Sequence, residues 1–364
     1  MSQTRSVLIV GLGDLGLRIA LRLGACGDSM RLCLAARDTP RARARATLVA
    51  GCSAGIDVRF VGLDALDHAA VRALIETQAP DALVQRASMH SPWLLHARCD
   101  PTARRLRAAG FASELSAQLP IARNVFSASY AVGYDGSMIN CSYPDVVNPV
   151  LAAAGFAPSF GIGNAGMVHL LAETALRARG LHGRLRTLAH HAHVTMTATG
   201  RFPLNEDIGL APRFALDARA LSPREVFLEP VGSDRNLNEL TAAHAVAMLR
   251  AHLGLTPPLR TAAPGVLGRA GGWPVTVAAG AVEFDLPPGT TEADLQGFNT
   301  AAARLDGIEA IDADGTVRFT ATLQDALGPD LVALAEPLSA DQALVRYAQL
   351  RAVLALGDMS VDAA

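Results

Sequence analysis

A chain of 364 residues, half of them hydrophobic, with 32 basic and 34 acidic side chains, buries one large core or two moderate ones and is neither disordered nor fibrous. The charges are spread along it, with no basic stripe for nucleic acid and no polybasic run for anionic lipid, so a small-molecule partner is expected. All 32 basic side chains are Arg, which removes Schiff-base lysines, lysine general acids and the P-loop lysine from consideration.

Residues 1–5 are polar and run straight into an apolar stretch, which is not the order of a signal peptide. No segment reaches membrane-spanning length without a charge, Gly or Pro. The five cysteines form no CxxC pair and are odd in number, the usage of a reduced compartment rather than a disulfide framework. A cytoplasmic location with no membrane partner is the expectation.

Residues 6–10 (SVLIV) form a continuous apolar run, the pattern of a strand buried on both faces of a parallel sheet. The run enters Gly11-Leu12-Gly13-Asp14-Leu15-Gly16 directly, and residues 17–23 then carry helical apolar spacing. Strands are predicted at 31–36, 57–62 and 81–85, with helices around 40–50 and over 67–78 between them. Such alternation predicts an α/β fold with a doubly wound parallel sheet, the Rossmann arrangement. Residues 100–127 read as helical, 137–141 as a strand that breaks at Tyr143-Pro144, and 148–154 as a helix, so the nucleotide-binding domain is placed at 1–150. Beyond it, helices are predicted at 166–179 and 237–253 and strands at 185–197, 274–278, 281–286 and 316–321, with a loop region up to residue 230. A further helix starts at Thr291, with Asp294 in its first turn. Strict alternation is lost here, which predicts a second, α+β substrate domain at 151–335. Residues 336–364 hold a last helix, 340–354, expected to fold back on either domain, the Rossmann domain being the one assigned.

The glycine-rich turn has the strand before it and the helix after it that a dinucleotide site needs. Gly11 permits the tight turn, Gly13 lets the backbone approach a diphosphate, and Gly16 lets helix and strand pack closely. Asp14 and Leu15 open the helix, whose free N–H groups favour negative charge. At the end of the second strand, where a carboxylate would hold the ribose hydroxyls of NAD, stand Ala36 and Arg37. A guanidinium there pairs with a 2′-phosphate, so NADP(H) is preferred, with Arg41 and Arg43 as helpers. Asp38 lies one residue further, which keeps NAD(H) open. Asp64, after the third strand, is placed either to contact adenine or to cap a helix.

Ligands of an open parallel sheet bind beyond the carboxyl ends of its strands. Two segments lie there, 86–93 with Ala87, Ser88 and His90, and 141–148 with Tyr143 and Asp145. A phenol or buried carboxylic acid can relay a proton as hydride reaches carbon, so Tyr143 and Asp145 are candidate catalytic residues; a Pro-containing turn with Asp145 as a cap explains them equally. Residues 161–166 (GIGNAG) are a second GxGxxG with no clear strand before them, opening a helix at which Asn164 would receive a substrate carboxylate or a cofactor amide. On a strand, His191 and His193 share one face while His190 points away, and no partner has zinc-ligand spacing, so no metal is expected. His191 joins the catalytic set. His90 and His193 are assigned to the substrate pocket, and Arg201 is a candidate carboxylate clamp.

GLGDLG at 11–16, SPW at 91–93, NCSYPDVVNPVL at 140–151, GIGN at 161–164 and GGWPV at 271–275 together resemble bacterial saccharopine dehydrogenase-like reductases. The resemblance implies a Rossmann domain joined to an α/β substrate domain, and reduction of an imine formed between an amine and a carbonyl compound, or the reverse. The absence of lysine departs from saccharopine-forming members and points to another imine or a cyclic amino acid. Two further readings stay open on the sequence: Cys141 as the nucleophile of a semialdehyde dehydrogenase-like enzyme, and a non-catalytic NADP sensor. A homodimer is expected, two-fold pairs being the commonest soluble assembly.

Overall fold

The structure, a computed structural model, describes residues 4–53, 55–203, 209–229 and 237–356. Its first elements are β1 (Arg5–Val10), α1 (Asp14–Ala25), β2 (Met30–Ala36), α2 (Pro40–Cys52), β3 (Asp57–Gly62), α3 (His68–Gln78) and β4 (Ala82–Gln85). The helices α4 (Trp93–His96), α5 (Pro101–Ala108) and α6 (Leu115–Ala131) follow, then β5 (Ser137–Asn140), α7 (Pro144–Ala153) and β6 (Phe160–Gly161). The six strands pair in parallel in the order β3-β2-β1-β4-β5-β6, the Rossmann topology. β2 and β4 flank β1 on opposite sides, so the connections after β1 and β4 part above the sheet and leave a crevice.

Local chemistry explains these boundaries. Val7, Leu8, Ile9 and Val10 are all buried, as a strand covered on both faces requires. α1 buries Leu15, Ile19, Ala20 and Leu23 at helical spacing. Thr39 caps α2 by accepting from Ala42 N (3.1 Å), with Pro40 at the first helical position, and Asp67 caps α3 through Ala70 N (3.0 Å).

Two expectations are corrected in this region. Tyr143-Pro144 does not break the chain away from a helix starting at 148: Pro144 is the first residue of α7, because its fixed φ suits that position and its missing N–H is not needed there. The turn is made by Tyr143, which takes the left-handed conformation (φ 43°). A strand does precede the second glycine-rich turn, since β6 pairs with β5 and carries the parallel sheet past residue 150.

The later elements are α8 (Asn164–Ala178), β7 (Leu185–Leu188), α9 (His193–Thr199), β8 (Arg213–Leu216), β9 (Arg219–Leu221), α10 (Pro223–Val226), α11 (Leu237–His252), β10 (Leu259–Pro264), β11 (Gly272–Ala278) and β12 (Ala281–Phe284). Last come α12 (Glu292–Ala303), β13 (Ile308–Ile311), β14 (Val317–Phe319), α13 (Ala321–Leu327) and α14 (Ala343–Val353). Their sheets are antiparallel: β10-β11-β12, β7-β8-β9 and the hairpin β13-β14. The strand expected over 185–197 ends at Leu188; a turn at 191–192 follows, and α9 is closed by Gly200 in the left-handed region.

Core residues of this second half join both faces of the parallel sheet. α11 and the β10-β11 pair share a cluster with α1, whereas β14, α13 and α14 share one with α6 and α7. The α14 residue Tyr347 donates its hydroxyl to Met89 O (3.3 Å), just beyond β4. Among the described residues no helix is long and apolar enough to cross a membrane.

Candidate active site

The three glycines of the first turn are each needed for a different reason. Gly11 has φ +105°, and a Cβ there would lie 2.6 Å from Ala87 N; a Cβ on Gly16 would run into the carbonyl oxygen of Gly11. At Gly13 the atoms nearest to a Cβ all belong to the Arg86 guanidinium, at 3.6 Å and beyond, so the backbone here has open space before it and a cation as its nearest neighbour. Leu15 is buried at the start of α1, and Asp14 turns to Arg18 (3.1 Å) and Asn238 (2.7 Å), which hold its pKa down against the opposing effect of burial. Ala87 N donates to Val10 O (3.1 Å), and Ser88 Oγ to His90 O (2.7 Å).

At the far end of the crevice, Ala36 closes β2 opposite Gly62 and Arg37 is half-buried near Tyr347. Asp38 pairs with Arg43 (2.5 Å), so that guanidinium is already matched. Arg45, which sequence reasoning did not single out, donates to Leu12 O (2.8 Å) inside the glycine-rich turn. Burial and the like charge of Arg41 pull the Arg45 pKa down. Asp64 accepts from Leu66 N (3.0 Å) in a local turn.

A cavity of about 510 Å³ lies beyond the carboxyl ends of β4, β5 and β6. Arg86 and Ser88 reach it after β4, Cys141 to Pro144 after β5, and Ile162 to Asn164 after β6, with Trp93, Phe111, Glu114, Met196, His191 and Asp306 around the remainder. Two donors in residues lining it, Arg86 Nε and Gln118 Nε2, are buried with no acceptor among the described residues. A bare glycine turn, orphaned donors and neighbouring guanidinium groups fit a dinucleotide along this crevice.

Asp306 organises the titratable groups. It ends a 3-10 turn, Arg304–Asp306, ahead of Gly307 (φ 96°), and its Oδ2 accepts from the Tyr143 hydroxyl at 3.1 Å. His191 Nδ1 lies 2.9 Å from the same oxygen and His190 Nδ1 3.4 Å from it. Burial alone would raise the Asp306 pKa, but the hydrogen bond and charge of His191, with His190 close by, hold it well below the carboxylate range. Burial pulls His191 down, and Asp306, Asp145 and Glu114 more than offset that, so its pKa is raised. Tyr143 is pushed well above the ordinary phenol value by burial and by the Asp306 and Asp145 charges, so it stays a donor. The His191 ring stacks on Phe111, with centroids 4.3 Å apart, and meets the edge of Tyr143 at 5.1 Å. Asp306 was missed because an Asp-Gly pair reads as an ordinary turn.

Asp145 is fully buried and ties segments together: Oδ1 accepts from His191 N (3.1 Å), Oδ2 from Asn164 Nδ2 (3.1 Å). The histidines do not alternate as on a strand. His190 and His191 both approach Asp306, and His193 turns inward, accepting from His190 N (3.0 Å) at Nδ1 and donating to Gly209 O (2.8 Å) from Nε2. Burial draws the His193 pKa down to about 4. His90 is buried against Tyr347 and is outside the cavity lining; its side chain meets that of the lining residue Glu114, whose carboxyl lies 3.0 Å from His90 Nε2 and whose pKa is raised by burial. Arg201 is exposed and away from the cavity lining. The Cys141 thiol is pushed up to about 12 by burial, against the pull of Arg86, so its environment does not support a nucleophilic thiolate. Among the described residues no group of three or more His, Cys, Asp or Glu is arranged to hold a metal.

No protein-family model and no curated protein matches the chain. Among solved structures it is similar to a minor L-lactate dehydrogenase from Enterococcus mundtii in its ligand-bound form, with 14% identity, a TM-score of 0.51, and coverage of 83% of this chain and 96% of that one. It is also similar to a lactate dehydrogenase from a Medee basin deep-sea metagenome library, with 13% identity, a TM-score of 0.49, and coverage of 83% and 97%. The first of these likenesses carries the fold, in agreement with the strand order.

Proposed function

We propose that this chain is an NADPH-dependent oxidoreductase that reduces a C=N bond in an amino-acid-derived or opine-like substrate. The observation that carries the reading is the His191–Asp306 pair, set in the wall of the cavity that opens beside the glycine-rich turn. The dinucleotide, when bound, supplies the hydride that the substrate carbon receives. His191 is held at Nδ1 by Asp306, which leaves Nε2 as the nitrogen that gives a proton to the substrate nitrogen. Asp306 keeps the ring charged until then, and Tyr143 holds the carboxylate in place from its other side. The reverse reaction uses the same groups, with His191 taking the proton back.

Support for C=N over C=O comes from the resemblance of the motifs to saccharopine dehydrogenase-like reductases and from the aromatic residues Phe111, Trp93 and Tyr143 in the cavity wall, a lining that suits a cationic iminium carbon. Preference for NADPH rests on Arg45, held at Leu12 O, and on Arg41, whose charge acts on it, more than on Arg37. Stopped-flow absorbance of NADPH with a panel of amine and oxo-acid mixtures tests the reading. Oxidation that requires both components supports it; oxidation by an oxo acid alone, indifferent to the amine, replaces C=N by C=O. NADPH binding without turnover on any mixture returns the chain to the sensor reading.

A further inference from the structure

We propose that Arg86 is the side chain that grips the diphosphate bridge of the cofactor, a role that rests on reading the glycine-rich turn as a dinucleotide site. Its backbone is fixed, since Arg86 N donates to Val10 O (2.9 Å) where β4 runs beside β1. From there the side chain crosses the turn. Its Cδ lies 3.6 Å from where a Cβ on Gly16 would sit, and Cζ and Nη1 each lie 3.6 Å from the corresponding point at Gly13. The guanidinium therefore faces the bare peptide that precedes the N-terminus of α1, where backbone N–H groups also favour an anion.

Arg86 differs from the other half-buried or buried arginines in having no acceptor. Arg45 donates to Leu12 O, Arg107 to Arg98 O, Arg186 to Asp285, and Arg346 to Leu334 O and Glu336 O. The Arg86 side chain has neither a hydrogen bond nor an ion pair among the described residues, and its Nε is buried without a partner. Asp14, whose charge acts on it, is turned to Arg18 and Asn238, and Cys141, which also acts on it, carries a protonated thiol. A buried cation without a counter-charge is destabilising unless a ligand completes it. An anion presented at the glycine-rich turn does so bidentately, and a diphosphate is the anion that such a turn accommodates. A carboxylate on the substrate is the competing occupant, because Arg86 also lines the cavity.

The two occupants separate in binding experiments with Arg86→Gln and Arg86→Lys. Calorimetry with NADPH, NADH and ADP-ribose, which has the diphosphate but no nicotinamide, should show all three weakened about 10- to 100-fold in Arg86→Gln. Arg86→Lys should recover part of the loss as a point charge, and it carries the test if the glutamine variant fails to fold. Without nucleotide, Arg86→Gln should melt no lower than the parent protein, since it removes an unmatched cation. Parent-like ADP-ribose affinity in both variants, or a defect confined to the KM of the substrate, overturns the assignment and gives Arg86 to the substrate. If the parent protein binds none of the three nucleotides, the nucleotide reading itself falls.

Discussion

Asp306 and His191 hold their unusual protonation states jointly. Because the His191 pKa is raised, the proton-donating form persists above the ordinary histidine value of 6.5. Reductive kcat/KM is therefore expected to be flat at low pH and to fall only as pH rises through that raised value. In Asp306→Asn the charge and the hydrogen bond that do most to raise it are lost, so the descending limb should move to lower pH and the pH-independent rate should drop by about 10²- to 10⁴-fold. An unmoved limb in that variant would remove His191 from the proton transfer. Linkage follows the same signs: the His191 contribution to stability is full below its unfolded pKa and is lost as pH rises through its folded one. That of Asp306 is present above its unfolded pKa and is lost on acidification. At this scale the sequence exposed Tyr143, His191 and the glycines, each carrying a local signal. It hid Asp306, because the Tyr143–Asp306 bond joins positions 163 apart and neither end announces the other.

Where an element carries its own periodicity and cap, its position was legible. The first βαβ unit is one case, and the helix after Thr291 is another: Thr291 accepts from Asp294 N (3.2 Å) and Asp294 accepts from Thr291 N (2.8 Å), a reciprocal cap. Thr291→Ala should cost about 1 kcal/mol in urea unfolding without changing activity, since the cap is exposed and outside the cavity lining. Elements too short to repeat a pattern were not legible. β6 has two residues, and the chain after Leu188 leaves its strand for reasons set by Asp145 rather than by its own apolar spacing. Asp145→Asn puts an amide nitrogen where one of two N–H donors now finds an acceptor. It should destabilise the protein by about 1–3 kcal/mol and weaken turnover, because either the His191 peptide or the Asn164 amide, both at the cavity, loses its anchor.

For the molecule as a whole, the length and the alternating first half were enough for the Rossmann sheet, whereas the partition of the second half was not. Its helices and hairpins pack onto both sides of the parallel sheet, and no local pattern says which side a helix will choose. α1 illustrates the dependence: Arg18 and Arg22 on it pair with Glu239 of α11, and Asp14 with Asn238. A fragment of residues 1–150 lacks both α11 and β6, so it should show no cooperative thermal transition, while the full chain melts cooperatively and gains stability with NADPH. A sharp melt of the fragment would mean that the first 150 residues need no help from the rest.

The junction at Asp145 also has a mechanical meaning. One carboxylate joins the start of α7, the start of α8 and the peptide of His191, and two of those points belong to the connections leaving adjacent strands of the sheet. The acid–base pair is thereby bolted to the rigid floor of the crevice. In the proposed reaction, any breathing that admits substrate would have to leave that floor in place, so His191 would keep its aim through each opening and closing.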